Sequence, residues 1–136
     1  KQNIRTVTPE QLGELVDFIS IDVAFISLDK VLPVATTLLK DTGSLVALIK
    51  PQFEAGKENV GKGGIVRDSN IHKEVLHRIL QVAYDCGLYI HGLTFSPIKG
   101  MEGNIEFLGY FKKYEEGALT INDELIDAVV TEAHSL

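Results

Sequence analysis

The chain has 136 residues and a formal net charge of −6, with 45% hydrophobic and 24% charged residues. A chain of this length buries about two thirds of its unfolded surface and can build a real core. The composition excludes a disordered acidic tail, a collagen-like chain and a low-complexity linker. A single cysteine, Cys86, excludes an internal disulfide framework or a cysteine zinc site and suits a reducing, cytoplasmic setting. No apolar run reaches the ~18 residues of a membrane span, and no basic-then-apolar leader opens the chain. The acidic balance argues against a free-standing nucleic-acid binder, because phosphate binding needs clustered Lys and Arg. The first residue is Lys1 and the only methionine is Met101, which reads as a piece of something longer.

In chain order, Thr8-Pro9-Glu10-Gln11 signals a short helix with a capping box. Leu15 to Val23 reads as a buried strand, rich in β-branched and aromatic residues. Ser27 offers a cap for a helix over 28–40, with Leu28, Val31, Leu32 and Ala35 at helical spacing and Pro33 inside it. Asp41-Thr42-Gly43 reads as its stop, and Ser44–Ile49 as a second buried strand. Residues 51–68 hold five glycines and prolines in 18 positions and read as one long loop, a length that usually marks function or disorder. Asp68-Ser69-Asn70 starts the strongest helix, with Ile71, Val75 and Ile79 on one face and Gly87 closing it. Leu88–Phe95 and Asn104–Phe111 read as a hairpin pair. Asn122-Asp123-Glu124 opens a last helix. Strand–helix–strand alternation predicts an α/β fold with a mostly parallel sheet, and the hairpin adds one antiparallel strand. Ligands in such sheets sit beyond the carboxyl ends of the strands, so the residues after Val23 and Ile49 are where a site is expected.

Three residues stand out. Asp22 ends the first strand inside an apolar run, either with a partner or as a solvated strand end. Lys50 follows the second strand and precedes Pro51, which holds it extended; it is either a projecting functional lysine or a snorkelling one. Neighbouring parallel strands would put both tips on one edge, within reach of an ion pair. Glu106 shares a strand face with Leu108 and Tyr110, and taken alone it reads as an edge-strand glutamate facing water. Gly56–Gly63 nearly matches a phosphate-binding loop but has Gly63 where the metal-binding hydroxyl belongs, which argues against a nucleotide triphosphatase. Lys57, Lys62 and Arg67 make this either a loop that touches a phosphate backbone or a plain solvated loop. His72 and His77 lie on different helix faces and share no metal, and Cys86 reads as packing.

Five segments carry a resemblance: Asp22-Val-Ala-Phe-Ile-Ser-Leu, Lys50-Pro-Gln-Phe-Glu-Ala-Gly-Lys, Gly61-Lys-Gly-Gly-Ile-Val-Arg-Asp, Ser96-Pro-Ile and Gly103-Asn-Ile-Glu-Phe. Together they resemble the TlyA/hemolysin A family of ribosomal RNA 2′-O-methyltransferases, related to the FtsJ-type ribose methyltransferases. The resemblance implies the later half of a Rossmann-like three-layer sandwich that uses S-adenosylmethionine. Within the family's Lys-Asp-Lys-Glu tetrad, Asp22 matches the Asp, Lys50 the second Lys and Glu106 the Glu. The first Lys, the glycine-rich cofactor turn and a small RNA-binding domain have no counterpart in this sequence. They are expected upstream, which makes residues 1–136 a C-terminal portion of the methyltransferase domain. Asn3, with Asp22, is expected near the cofactor, and ribosomal RNA or a ribosomal subunit is the implied partner. The competing readings are a non-catalytic RNA- or protein-binding module and, from the historical family label alone, a hemolysin.

Overall fold

The computed structural model describes residues 15–61, 64–96 and 103–135. The helix expected at Thr8 lies outside them. The elements are β1 (Val16–Ile21), α1 (Leu28–Leu38), β2 (Leu39–Ile49), a short α2 (Pro51–Glu54) with a 3₁₀ turn at Lys57–Asn59, α3 (Ser69–Asp85), β3 (Tyr89–Phe95), β4 (Phe107–Lys112) and α4 (Asp123–His134). The sheet runs β1-β2-β4-β3. β1 and β2 are parallel, whereas β4 is antiparallel to both β2 and β3. Three strands therefore run one way and β4 alone runs the other, as the sequence predicts. β4, however, is inserted between β2 and β3 and is an inner strand.

Alternation along the strands gives the sheet two unlike faces. Ile19, Ile21, Leu45, Ala47, Ile49, Phe107 and Phe111 lie on one face, in a single buried cluster with the apolar stripes of α1, α3 and α4. The other face carries Phe18, Ser20, Val46, Leu48, Leu108 and Tyr110 and is partly exposed. Among the described residues these make two of the three layers of the expected sandwich.

The helix ends follow the local signals. Ser27 caps α1 by accepting from the Asp29 amide, and Asp68 caps α3 by accepting from that of Asn70. Gly87, at φ +92°, closes α3 in a Schellman arrangement: the Leu88 amide donates to the Ala83 carbonyl and the Gly87 amide to that of Tyr84. The start of β2 differs from expectation. α1 ends at Leu38, passes straight into extended backbone at Leu39, and Asp41-Thr42-Gly43 continue as strand. Gly43 is needed for close approach: a Cβ there would sit 2.9 Å from the Asp17 carbonyl oxygen of β1 and 2.5 Å from Leu39 Cδ1. The 51–68 stretch is not one loop either, because Pro51 at the first helical position starts α2.

His72 of α3 is fully buried. Its Nε2 lies 3.0 Å from the Val66 carbonyl and its Nδ1 2.8 Å from His134 Nε2 of α4. A carbonyl only accepts, so Nε2 carries the proton and the neutral Nδ1 accepts from His134. Burial pushes the His72 pKa below its ordinary 6.5, with the hydrogen bond that it donates to the Val66 carbonyl opposing the shift. A depressed histidine gives stability that is present above pH 6.5 and is lost as pH falls toward the folded-state value. Unfolding free energy should therefore drop on acidification from about pH 7 to 5, by at most about 1.4 kcal/mol per pH unit from this group. His72→Gln, which keeps a donor for Val66 but does not titrate, should flatten that drop in urea titrations. An unchanged slope would remove His72 from the account.

Candidate active site at the carboxyl ends of β1 and β2

Strand register assembles the site. Ile49 pairs with Phe107 across the antiparallel β2–β4 ladder, so one further step sets Lys50 opposite Glu106. Residues so opposed have Cβ atoms about 4.5–5.5 Å apart. Val46–Tyr110 and Leu48–Leu108 precede them on the same face, so alternation puts Lys50 and Glu106 there too. In the parallel β1–β2 ladder Ser20 pairs with Val46 and Ile21 with Ala47, which sends Asp22 to this face at the neighbouring tip. The ion pair expected from sequence forms, with Lys50 Nζ 2.5 Å from Asp22 Oδ1. The lysine side chain is 16% exposed and the aspartate 46%, so the pair is reachable from solvent on the carboxylate side. Lys50 is extended, at φ −110° and ψ 99°, as its position before proline requires.

Glu106 corrects the water-facing, edge-strand reading. It is 6% exposed, because β4 is an inner strand and α2 covers the strand end. Gln52 Nε2 of α2 donates to Glu106 Oε2 at 2.9 Å. A buried carboxylate needs such a donor.

Four further residues were not singled out by sequence. Glu54, with a side chain only 2% exposed, accepts from Ser27 Oγ at 2.5 Å, from the Leu28 amide at 2.8 Å and from Arg78 Nη2 at 2.8 Å. Arg78 also donates to the Glu54 carbonyl. One carboxylate thus caps α1 and ties α2, the segment directly after Lys50, to α3. Phe25 is 81% exposed, sits at φ +64°, and packs against Phe53 with ring centroids 4.7 Å apart and the rings tilted by 53°. A bulky residue in the left-handed region marks strain of a kind that clusters at functional sites. The sequence signal available for Glu54 was the acceptor it offers just after an N1 proline. Nothing local announces the backbone of Phe25.

Of the phosphate-loop candidates, Arg67 is exposed and makes no ion pair among the described residues. Lys62 and Asn3 lie outside the described residues, as does the side chain of Lys57. The loop around Arg67 is tied to the site by Asn104, which is 1% exposed. Its Oδ1 accepts from the Val66 amide and its Nδ2 donates to the Gly64 carbonyl, both at 2.9 Å. His77 pairs with Asp123, apart from His72. Cys86 donates to the Ala83 carbonyl, and burial raises its thiol pKa, as suits a packing residue. No group of three or more His, Cys, Asp or Glu suited to a metal occurs among the described residues.

Glu54→Ala removes a helix cap and leaves Arg78, half exposed, without its main partner. The expected cost is about 2–3 kcal/mol, read as a lower urea midpoint at unchanged m-value; a loss within experimental error would show that the clamp is ornamental.

The chain has relatives. The chain is 46% identical over 137 residues to "Putative rRNA methyltransferase YqxC" of Bacillus subtilis, covering 98% of this chain and 49% of that protein. It is 36% identical to "16S/23S rRNA (cytidine-2'-O)-methyltransferase TlyA" of Mycobacterium tuberculosis over 95% of this chain and 48% of that protein. A solved structure, "Putative hemolysin from Streptococcus thermophilus", superposes at TM-score 0.88 with 45% identity, over 98% of this chain and 48% of that one. The chain spans about half the length of the curated relatives it matches. The model of the FtsJ-like methyltransferase family matches residues 1–113, including Asp22, Lys50 and Glu106 with the strands that carry them, and the chain belongs to that family.

Proposed function

We propose that this chain carries catalytic residues of an S-adenosylmethionine-dependent ribose 2′-O-methyltransferase acting on ribosomal RNA in the cytoplasm. The observation that carries the reading is the Lys50–Asp22 ion pair, set at the carboxyl ends of two parallel strands with buried Glu106 directly before the adjoining β4. TlyA, whose name gives it cytidine-2′-O-methyltransferase activity on 16S and 23S rRNA, is similar over nearly the whole chain.

The residues present fit the cofactor. Its sulfonium and ammonium groups are cationic, and the strand tips offer the half-exposed Asp22 carboxylate, with one oxygen taken by Lys50. Asp22 would hold it, together with Asn3, and the bound cofactor supplies an electrophilic methyl group. Everything else falls to the chain's own side chains. A ribose hydroxyl is a weak nucleophile near neutral pH, so placing it in line accounts for much of the rate. Lys50, an ammonium held by Asp22, orients that hydroxyl and stabilises the negative charge that grows on its oxygen as the proton leaves. Glu106 stands across from it and holds the ribose. The exposed face of Phe25 suits a base drawn out of its stack. Arg67, with Lys57 and Lys62 on the same loop, suits the phosphate backbone.

A hemolysin label also occurs among the relatives. Among the described residues no helix is long and apolar enough to cross a membrane.

The test uses the protein at its natural full length and tritiated methyl transfer to ribosomal subunits. Lys50→Ala should lower the rate by about 10²–10³-fold or more with an unchanged melting curve, and wild-type turnover in that variant would refute the assignment. Phe25→Ala should weaken RNA use by roughly 10-fold or more, the worth of one base–aromatic stack, with cofactor affinity unchanged by calorimetry. An equal loss of cofactor affinity would place Phe25 in the cofactor site instead.

A further inference from the structure

Gln52 occupies an unusual position for an amide. Its Nε2 donates to Glu106 at 2.9 Å, while its Oε1 is buried without a hydrogen-bond partner among the described residues. Each unmet buried acceptor costs stability, and native proteins hold few of them. Rotating the amide by half a turn would bring Oε1 against the Glu106 carboxylate, acceptor against acceptor. The orientation with an unmet oxygen is therefore the one that serves the carboxylate.

The platform beneath Gln52 is rigid. Pro51 is buried and fixes the first turn of α2. The Phe53 amide donates to the Lys50 carbonyl and the Ala55 amide to that of Pro51, both at 2.9 Å. Glu54 then anchors the turn to α1 and α3. The backbone that sets Lys50 thus also sets the group that holds Glu106, two residues further on.

We propose that Gln52 is a positioning residue that fixes the Glu106 carboxylate on the sheet face carrying Lys50 and Asp22. The inference rests on the methyltransferase reading for its kinetic consequence but not for its structural one. If Gln52 served packing alone, an apolar side chain of similar length would serve as well, since it would also remove the unmet oxygen. Activity and stability should therefore part company.

The experiment compares Gln52→Met and Gln52→Glu with wild type, all at natural full length. Gln52→Met removes the unmet oxygen but also takes a donor from Glu106; the two effects oppose, and the melting temperature should stay within about 3 °C. Its kcat should fall at least about 10-fold while KM for RNA and for cofactor stays within about threefold. Gln52→Glu sets two carboxylates in contact, and such a pair shares one proton until pH rises far enough to remove it. While the proton is shared the contact persists. Its kcat should therefore approach wild type at the acidic end of the profile and fall as pH rises, where wild type shows no such fall. Gln52→Met should stay low throughout. Crystal structures of Gln52→Met should show the Glu106 carboxylate displaced by about 1 Å or more, enough to cost turnover. Wild-type kcat in Gln52→Met, a Gln52→Glu profile parallel to wild type, or an unmoved Glu106 would each overturn the proposal. Should the wild-type protein transfer no methyl group to RNA, the methyltransferase reading falls by itself, and the position of Glu106 still decides the role of Gln52.

Discussion

The Glu54 carboxylate is the contact on which the rest of the site depends. It sits almost wholly out of solvent, where an unpaired charge is costly, and it is satisfied by three groups from two places in the chain: Ser27 and the Leu28 amide at the start of α1, and Arg78 on α3. A helix N-terminus concentrates unsatisfied amides and positive potential, so the carboxylate and the helix end answer each other's need. The consequence is spatial. β1 leads through Asp22 and Phe25 to Ser27, and β2 leads through Lys50 and Gln52 to Glu54. Joining Ser27 to Glu54 closes a ring of chain around the two strand tips. The Asp22–Lys50 pair bridges the two arms of that ring, so the backbone that carries each residue is held at both ends.

That arrangement explains how much could be read without coordinates. Caps and stops are local, and Ser27, Asp68 and Gly87 act where their residue types suggest. The strand tips were legible for a similar reason: a charged residue directly after an apolar run, with a following proline at Lys50, leaves few conformations. The misreadings share a different cause. Gly43 has two physical uses, ending a helix or allowing two backbones to approach, and only the Asp17 carbonyl beside it decides between them. Glu106 looked solvent-facing because chain order says nothing of strand order. With β4 inserted between β2 and β3, Glu106 stands beside the end of β2, where Gln52 of α2 covers it. The Glu54 ring and the His72–His134 contact join residues 27 and 62 positions apart, beyond the reach of any periodicity.

The loop that carries Arg67 shows how irregular backbone is fixed without a strand. Residues 64–66 leave amides and carbonyls that no ladder satisfies, and buried ones must find partners. Asn104 supplies both kinds at once, accepting from Val66 and donating to Gly64, while His72 takes the Val66 carbonyl from the other side. Each of these polar side chains is buried at a cost that its backbone partners offset. An apolar core could hold such a loop only loosely, because dispersion contacts have no direction. Directional bonds fix its register instead, and one of them comes from Asn104, two residues before Glu106. Arg67, proposed to meet a phosphate, and Glu106, proposed to hold the ribose, are thereby referred to the same short segment of chain, as holding one nucleotide by its backbone while acting on its sugar would require.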